Sequence, residues 1–228
     1  MKRLLLFDLA WTLIYTGGAG VRALNSAFAE LFGIPGAMKT ITPDGKTDPA
    51  ICREMIRVHL KREPREGEVE RLCRGYLDGL AREISDGPGY RVLPGVPELL
   101  ETLSGRSDAL LGLGTGNLEE GARIKLARAD LMRYFRFGGY GSDSEDRPTL
   151  LRTAVRRGEA IAGKAFASKD VVVIGDNARD VQAGRAIGAT TLAVASGPMK
   201  AADLSAAGPD QLVADLSDTP KILQILLG

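Results

Sequence analysis

Apolar residues along this chain fall into two patterns. Unbroken short runs appear at Arg3 to Phe7, Ala109 to Gly114 and Val171 to Ile174, with another near Thr190 to Ala195. Between them apolar positions recur at helical spacing. Short continuous runs separated by helical periodicity predict strands of a parallel sheet with both faces covered. The first helical stretch is Gly20 to Phe32, with Val21, Leu24, Ala27, Phe28 and Leu31 on one side. A second opens at Asp48-Pro49, where proline suits the first turn, and carries Ile51, Met55, Val58 and Leu60. A third runs from about Glu66 to Ile84 through Val69, Leu72, Cys73, Tyr76, Leu77 and Leu80. Further helices are expected after Pro94-Gly95, from Pro148 to about Phe166, near Ala178 to Ile187, and from Pro220. Asn117 followed by Glu120 predicts a capping box opening a helix to about Ala129.

Gly87-Pro88-Gly89 marks the point where an all-helical pattern gives way to alternation of helix and strand. The expected organisation is an α/β core, residues 1–16 and 90–228, interrupted by a helical insert, residues 17–89. Ligands of open α/β sheets bind outside the carboxyl ends of the strands. Three of the runs end in polar residues, Asp8, Thr115 and Asp176, and parallel strands would bring all three to one edge.

Asp176 and Asp180 are one helical turn apart, so their carboxylates can face one point together with Asp8. Converging carboxylates repel unless a hard cation neutralises them, and oxygen-only ligation suits Mg²⁺. Thr115 and Gly116 offer a hydroxyl and an unhindered N–H ahead of a helix, a setting suited to a phosphoryl oxygen. Arg147 adds a fixed positive charge. Singly, each has a plain structural explanation: a solvated loop acid or cap, a turn residue, a surface charge. Jointly they are the parts needed for phosphoryl transfer through an aspartyl-phosphate.

Asp8-Leu9-Ala10-Trp11-Thr12, Thr115-Gly116-Asn117, Arg147-Pro148 and Gly175-Asp176-Asn177-Ala178-Arg179-Asp180 stand in the order of the four motifs of the haloacid dehalogenase superfamily, which the chain resembles over nearly its whole length. Gly45-Lys46-Thr47-Asp48, with the stretch from Thr115 to Arg147, resembles the phosphoglycolate-phosphatase-like branch. The resemblance implies a Rossmann-like core, a mobile helical cap (residues 17–89), Mg²⁺, and Asp8 as nucleophile acting on a small phosphorylated metabolite. It implies metal contacts from Asp8, the Ala10 carbonyl, Asp176 and Asp180, the last orienting metal-bound water. Thr115 and Arg147 would hold phosphoryl oxygens, with Thr12, Gly116, Asn117 and Lys46 binding substrate.

Three positions depart from the pattern. The superfamily's phosphatases carry a general acid–base Asp where this chain has Ala10; a Gly is usual where Trp11 stands; and Lys is commoner at Arg147. Acid–base assistance typically contributes ~10²–10⁴-fold in rate. Three readings follow: a phosphomonoesterase that is weak or draws its acid from the cap; a pseudo-phosphatase that binds phosphorylated ligand without turnover; or a phosphonoacetaldehyde-hydrolase-like C–P hydrolase. The third class also has Ala here and uses a cap Lys as a Schiff base, for which Lys46 and Lys39 are candidates. Dehalogenation itself needs no metal, so Asp176 and Asp180 favour phosphate.

Composition narrows the field further. Lys and Arg total 30 against 29 Asp and Glu, and the charges also balance between Thr47 and Ile84, so no basic surface for nucleic acid is indicated. No apolar run approaches the ~18 residues of a membrane span, and Asp8 breaks the opening run too soon for a signal peptide. Two cysteines, Cys52 and Cys73, suit a reducing cytoplasm. Gly112 to Asn117 lacks the final Gly of a dinucleotide fingerprint, and the sole histidine, His59, reads as a surface residue. Oligomeric state and substrate are not written in the sequence.

Overall fold

The computed structural model describes residues 3–228. Four strands are the continuous apolar segments: β1 (Arg3–Phe7), β4 (Ala109–Gly114), β6 (Val171–Gly175) and β7 (Thr190–Val194); β5 (Gly138–Gly139) and β8 (Gln211–Val213), which the pattern did not predict, complete the sheet. The order is β5-β4-β1-β6-β7-β8, with every pairing parallel. Alternate residues of β1 explain why the run is apolar throughout. Leu5 and Phe7 pack with α4 (Val96–Ser104), α5 (Glu119–Ala127) and α9 (Thr219–Leu227) through Leu99, Leu126 and Ile222. Leu4 and Leu6 face the other way, toward Leu150, Leu151 and Ala154 of α6 (Arg147–Ala162) and Ala183 of α7 (Ala178–Ala186). Each such side chain, fully buried, contributes about 1.5–3 kcal/mol. The α/β, Rossmann-like arrangement expected from the runs is the one observed, with helices on both faces of a parallel sheet. A short helix, α8 (Ala201–Ala206), packs Leu204 beside Val181 and Ala193.

Between β1 and β4 the chain makes a helical unit. α1 (Ala19–Phe32), α2 (Asp48–Leu60) and α3 (Glu68–Asp86) gather their own apolar cluster, including Phe28, Met55, Ile56, Leu72 and Tyr76. His59 is half-buried there, its ring edge-on to Phe28 at 5.6 Å and its Nε2 2.8 Å from the Ala37 carbonyl, rather than free on the surface. The chain enters and leaves this unit through a two-stranded antiparallel ribbon, β2 (Ile14–Thr16) with β3 (Tyr90–Val92), that the sequence pattern did not predict. Gly17, at φ 63°, lets the ribbon close, since a Cβ there would run into the Pro88 carbonyl.

Two boundaries differ from expectation. α6 stops at Ala162 rather than near Phe166, because Gly163 takes the left-handed conformation that ends helices. The Asn117–Glu120 capping box does not form: the N-cap of α5 is Leu118, with no side-chain cap of its own. The Leu118 N–H donates instead to Asp48 Oδ2 of α2, at 2.9 Å, which releases Asn117 for other partners.

Candidate active site

Asp8 follows β1 directly, and β1 lies between β4 and β6, so Asp8, Thr115 and Asp176 meet at the carboxyl edge of three neighbouring strands. Asp180 stands one turn into α7, where it completes a capping box: the Asn177 side chain caps the helix while Asp180 Oδ2 accepts from the Asn177 N–H at 3.2 Å. Asp8, Asp176 and Asp180 each offer a carboxylate oxygen within 4.8 Å of the others. Burial first, then the charges of Asp8 and Asp180, pushes the Asp176 carboxyl up to about 9. Burial likewise raises Asp180, against the opposing pull of the Arg147 guanidinium. Three buried carboxylates thus crowd one point beside the Arg147 guanidinium, and their oxygens are the kind of ligand that a hard divalent cation takes.

Arg147 begins α6, positioned by the Asp146 cap, whose side chain accepts from the Thr149 N–H at 3.0 Å. Its guanidinium pairs with Asp180 and lies 3.6 Å from Asp8. It also reaches across to the helical unit, 3.4 Å from the Gly45 carbonyl. Gly116 sits between these parts: a Cβ there would come within 3.0 Å of both Arg147 Nη1 and the Thr47 Cα. The close approach of the two units therefore requires glycine.

A cavity of about 200 Å³ opens here, lined by Asp8, Ala10, Asp176, Gly116, Asn117 and Arg147 from one side and by Gly45, Lys46 and Asp48 from the other. Apolar wall comes from Ile14, Tyr15, Leu24, Met38, Ile51 and Tyr76. Ala10 offers a backbone carbonyl and no acid. Thr12 and Thr115 adjoin the lining residues Trp11 and Gly116 and are themselves buried, 1% and 0% exposed. Among the described residues the Thr12 hydroxyl has no hydrogen-bond partner, an unspent donor a few residues from Asp8. Lys46 is at the cavity but ion-pairs with Glu54, and Lys39 is exposed. Neither has the apolar or cationic surroundings that free an amine for Schiff-base formation.

Trp11 accounts for its own oddity. It holds φ 58°, a conformation that glycine adopts freely and bulky residues rarely do. Its ring stacks on Tyr15 at 4.1 Å between centroids, the Arg91 guanidinium lies 4.4 Å over Tyr15, and its carbonyl accepts from Ser196 Oγ at 2.5 Å. Those contacts offset the backbone strain and pin the turn that carries Ala10.

Two residues to which the sequence reading gave no role in the site also line the cavity: Asp48 and Lys125. Burial raises the Asp48 carboxyl, opposed by Lys125, by the Leu118 N–H and by Tyr76. The Lys125 ammonium, 6% exposed, donates to Asn117 Oδ1. Only the Gly45 to Asp48 run pointed toward Asp48; nothing in the periodicity of α5 marked Lys125 as buried.

A family profile described as HAD-hyrolase-like matches residues 147–219. Phosphoglycolate phosphatase from Synechococcus elongatus is 30% identical over 143 residues, 62% of this chain; the match spans 64% of that relative's length. Among solved structures, a hydrolase from Pseudomonas syringae superposes with a TM-score of 0.74 at 24% identity, covering 100% of both chains. CbbY from Rhodobacter sphaeroides, in complex with phosphate, superposes with a TM-score of 0.74 at 17% identity and 96% coverage of each chain.

Proposed function

We propose that the chain is a haloacid dehalogenase-like, Mg²⁺-dependent hydrolase of a small phosphomonoester, phosphoglycolate-phosphatase-like in its site. The observation that carries this reading is the convergence of Asp8, Asp176 and Asp180 within 4.8 Å beside Arg147 at a cavity of metabolite size. Mg²⁺ held by Asp8, the Ala10 carbonyl and Asp176, with Asp180 behind them, would neutralise carboxylates and phosphoryl oxygens together. An Asp8 oxygen attacks phosphorus, and the ester oxygen leaves as an alkoxide that takes a proton from solvent. Water then attacks the aspartyl-phosphate at phosphorus, releasing inorganic phosphate and restoring Asp8. Arg147 and the hydroxyls of Thr115 and Thr12 meet the phosphoryl oxygens, with the Gly116 and Asn117 backbone closing that end. Residues 17–89 act as the cap: Lys46 and Asp48 come from it, and its seating on the core limits the site's contact with bulk solvent while leaving the water that the reaction uses. The Cys52 and Cys73 sulfurs, free thiols 3.6 Å apart, are consistent with a cytoplasmic setting.

Ala10 favours one second reading, a binder of phosphorylated ligands that turns nothing over. Turnover of p-nitrophenyl phosphate with MgCl₂ separates the two. Native protein is expected to hydrolyse it slowly, Asp8→Asn to be silent, and Ala10→Asp to gain about 10²–10⁴-fold. Silence of the native chain with activity in Ala10→Asp would establish the binder. Silence of both, with no phosphate affinity, would overturn the phosphoryl site itself.

A further inference from the structure

Thr115, Asn117 and Lys125 form a buried chain of hydrogen bonds whose direction is fixed by chemistry. An ammonium donates and never accepts, so the oxygen of the Asn117 amide must face Lys125. The amide nitrogen is thereby turned to Thr115, and Asn117 Nδ2 donates to Thr115 Oγ1 at 2.8 Å. The Asn117 backbone N–H donates to the same oxygen at 3.3 Å. With two hydrogen bonds received, Thr115 Oγ1 has its proton left to give. The hydroxyl is wholly buried at the strand edge beside Asp8, where an unspent donor is costly until an acceptor arrives. With the amide reversed, its oxygen would accept that proton and leave nothing for a ligand.

We propose that Lys125 is a positioning residue: by fixing the Asn117 amide, it makes Thr115 an obligate hydrogen-bond donor toward a bound phosphoryl group. This rests on the phosphoryl-site reading above and adds a residue outside the four sequence motifs. The setting suits the task. Lys125 is held against the Tyr76 ring, with its nitrogen 5.9 Å from the centroid, and burial pulls its pKa down, opposed only in part by the carboxylates of Asp48 and Asp8. No ion pair within 4.0 Å draws it from Asn117 among the described residues.

Lys125 also carries charge, and a charge attracts phosphate with or without a relay. A double-mutant cycle distinguishes the two roles, because a residue acting through Thr115 has no effect once that hydroxyl is gone. The probe is inorganic phosphate titrated calorimetrically into the full chain with MgCl₂, with folding checked by the denaturation midpoint. Thr115→Val is expected to weaken phosphate about 10- to 100-fold, as for loss of a hydrogen bond to a charged group. Lys125→Met is expected to weaken it several-fold in the native background and by less than about twofold in the Thr115→Val background. Asn117→Ala, run through the same cycle, gives the same answer should Lys125→Met fail to fold. Equal losses in both backgrounds, or unchanged affinity in Lys125→Met, would overturn the relay while leaving the phosphoryl site standing. A native chain without phosphate affinity would overturn both.

Discussion

Asp176 carries a cost that the folded, metal-free protein cannot shed. Its carboxyl, pushed up to about 9 by burial and by its acidic neighbours, keeps a proton that the unfolded chain releases above about pH 4. The native state therefore binds more protons between those values, and stability falls as pH rises through that window. Asp48, raised by burial, adds a slope of the same sign. Urea midpoints of metal-free protein are expected to fall from about pH 5 to about pH 8. Asp176→Asn should flatten that fall and gain ~1 kcal/mol or more at the upper end. MgCl₂ should raise the native midpoint more at high pH than at low pH and leave Asp176→Asn almost unmoved. A steeper fall in the variant would contradict this account. At the same scale, Asp8, Thr115, Arg147, Asp176 and Asp180 were legible because each sits at a strand end or helix start. Lys125 was not: on an amphipathic helix an isolated lysine looks solvated, and only the docking of α3 and Asp48 against α5 buries it.

The helices that present the site are set by their first turns. Asp146 caps α6 through the Thr149 N–H and, at 2.6 Å, the Thr149 hydroxyl. These bonds, side chain first, hold its carboxyl below the usual range. Asp146→Ala is expected to cost about 1 kcal/mol and to loosen Arg147 at the next position. Chemical denaturation together with phosphate affinity would register both, and a variant as stable as the native chain would exclude the cap as the anchor of Arg147. Strands β1, β4, β6 and β7 were legible because two-sided burial leaves an unbroken apolar run. The β2–β3 ribbon was hidden by its length, three residues each way with mixed polarity, and by its pairing across the whole helical unit. α5 was misread at its start for a related reason: its capping acceptor, Asp48, is distant in sequence, so the local Asn117–Glu120 pattern mimicked a cap.

Across the molecule, two bodies of apolar packing meet at a seam of polar contacts and of apolar ones from Leu118 and Ile124. The helical cluster around Phe28, Met55 and Tyr76 is separate from those lining the sheet. The seam holds the Asp48 N–H donating to the Gly116 carbonyl at 2.8 Å and the exposed Arg53–Glu145 pair at 2.7 Å. It also holds the Leu118 N–H on Asp48, the Arg128 guanidinium on the Ile84 and Gly87 carbonyls, and the packing of α3 on α5, so the exposed Arg53–Glu145 pair, contributing ~0–1 kcal/mol, is a minor part of it. Arg53→Ala is expected to leave overall stability within about 0.5 kcal/mol of native, while faster proteolysis at the seam would report its loosening.

In the β2–β3 ribbon, Thr16 faces Tyr90 across an antiparallel pair, the spacing that a two-residue Asn-Gly hairpin closes. Everything from Gly17 to Gly89 is therefore topologically an ornament on a single hairpin, contributing no strand to the six-stranded sheet.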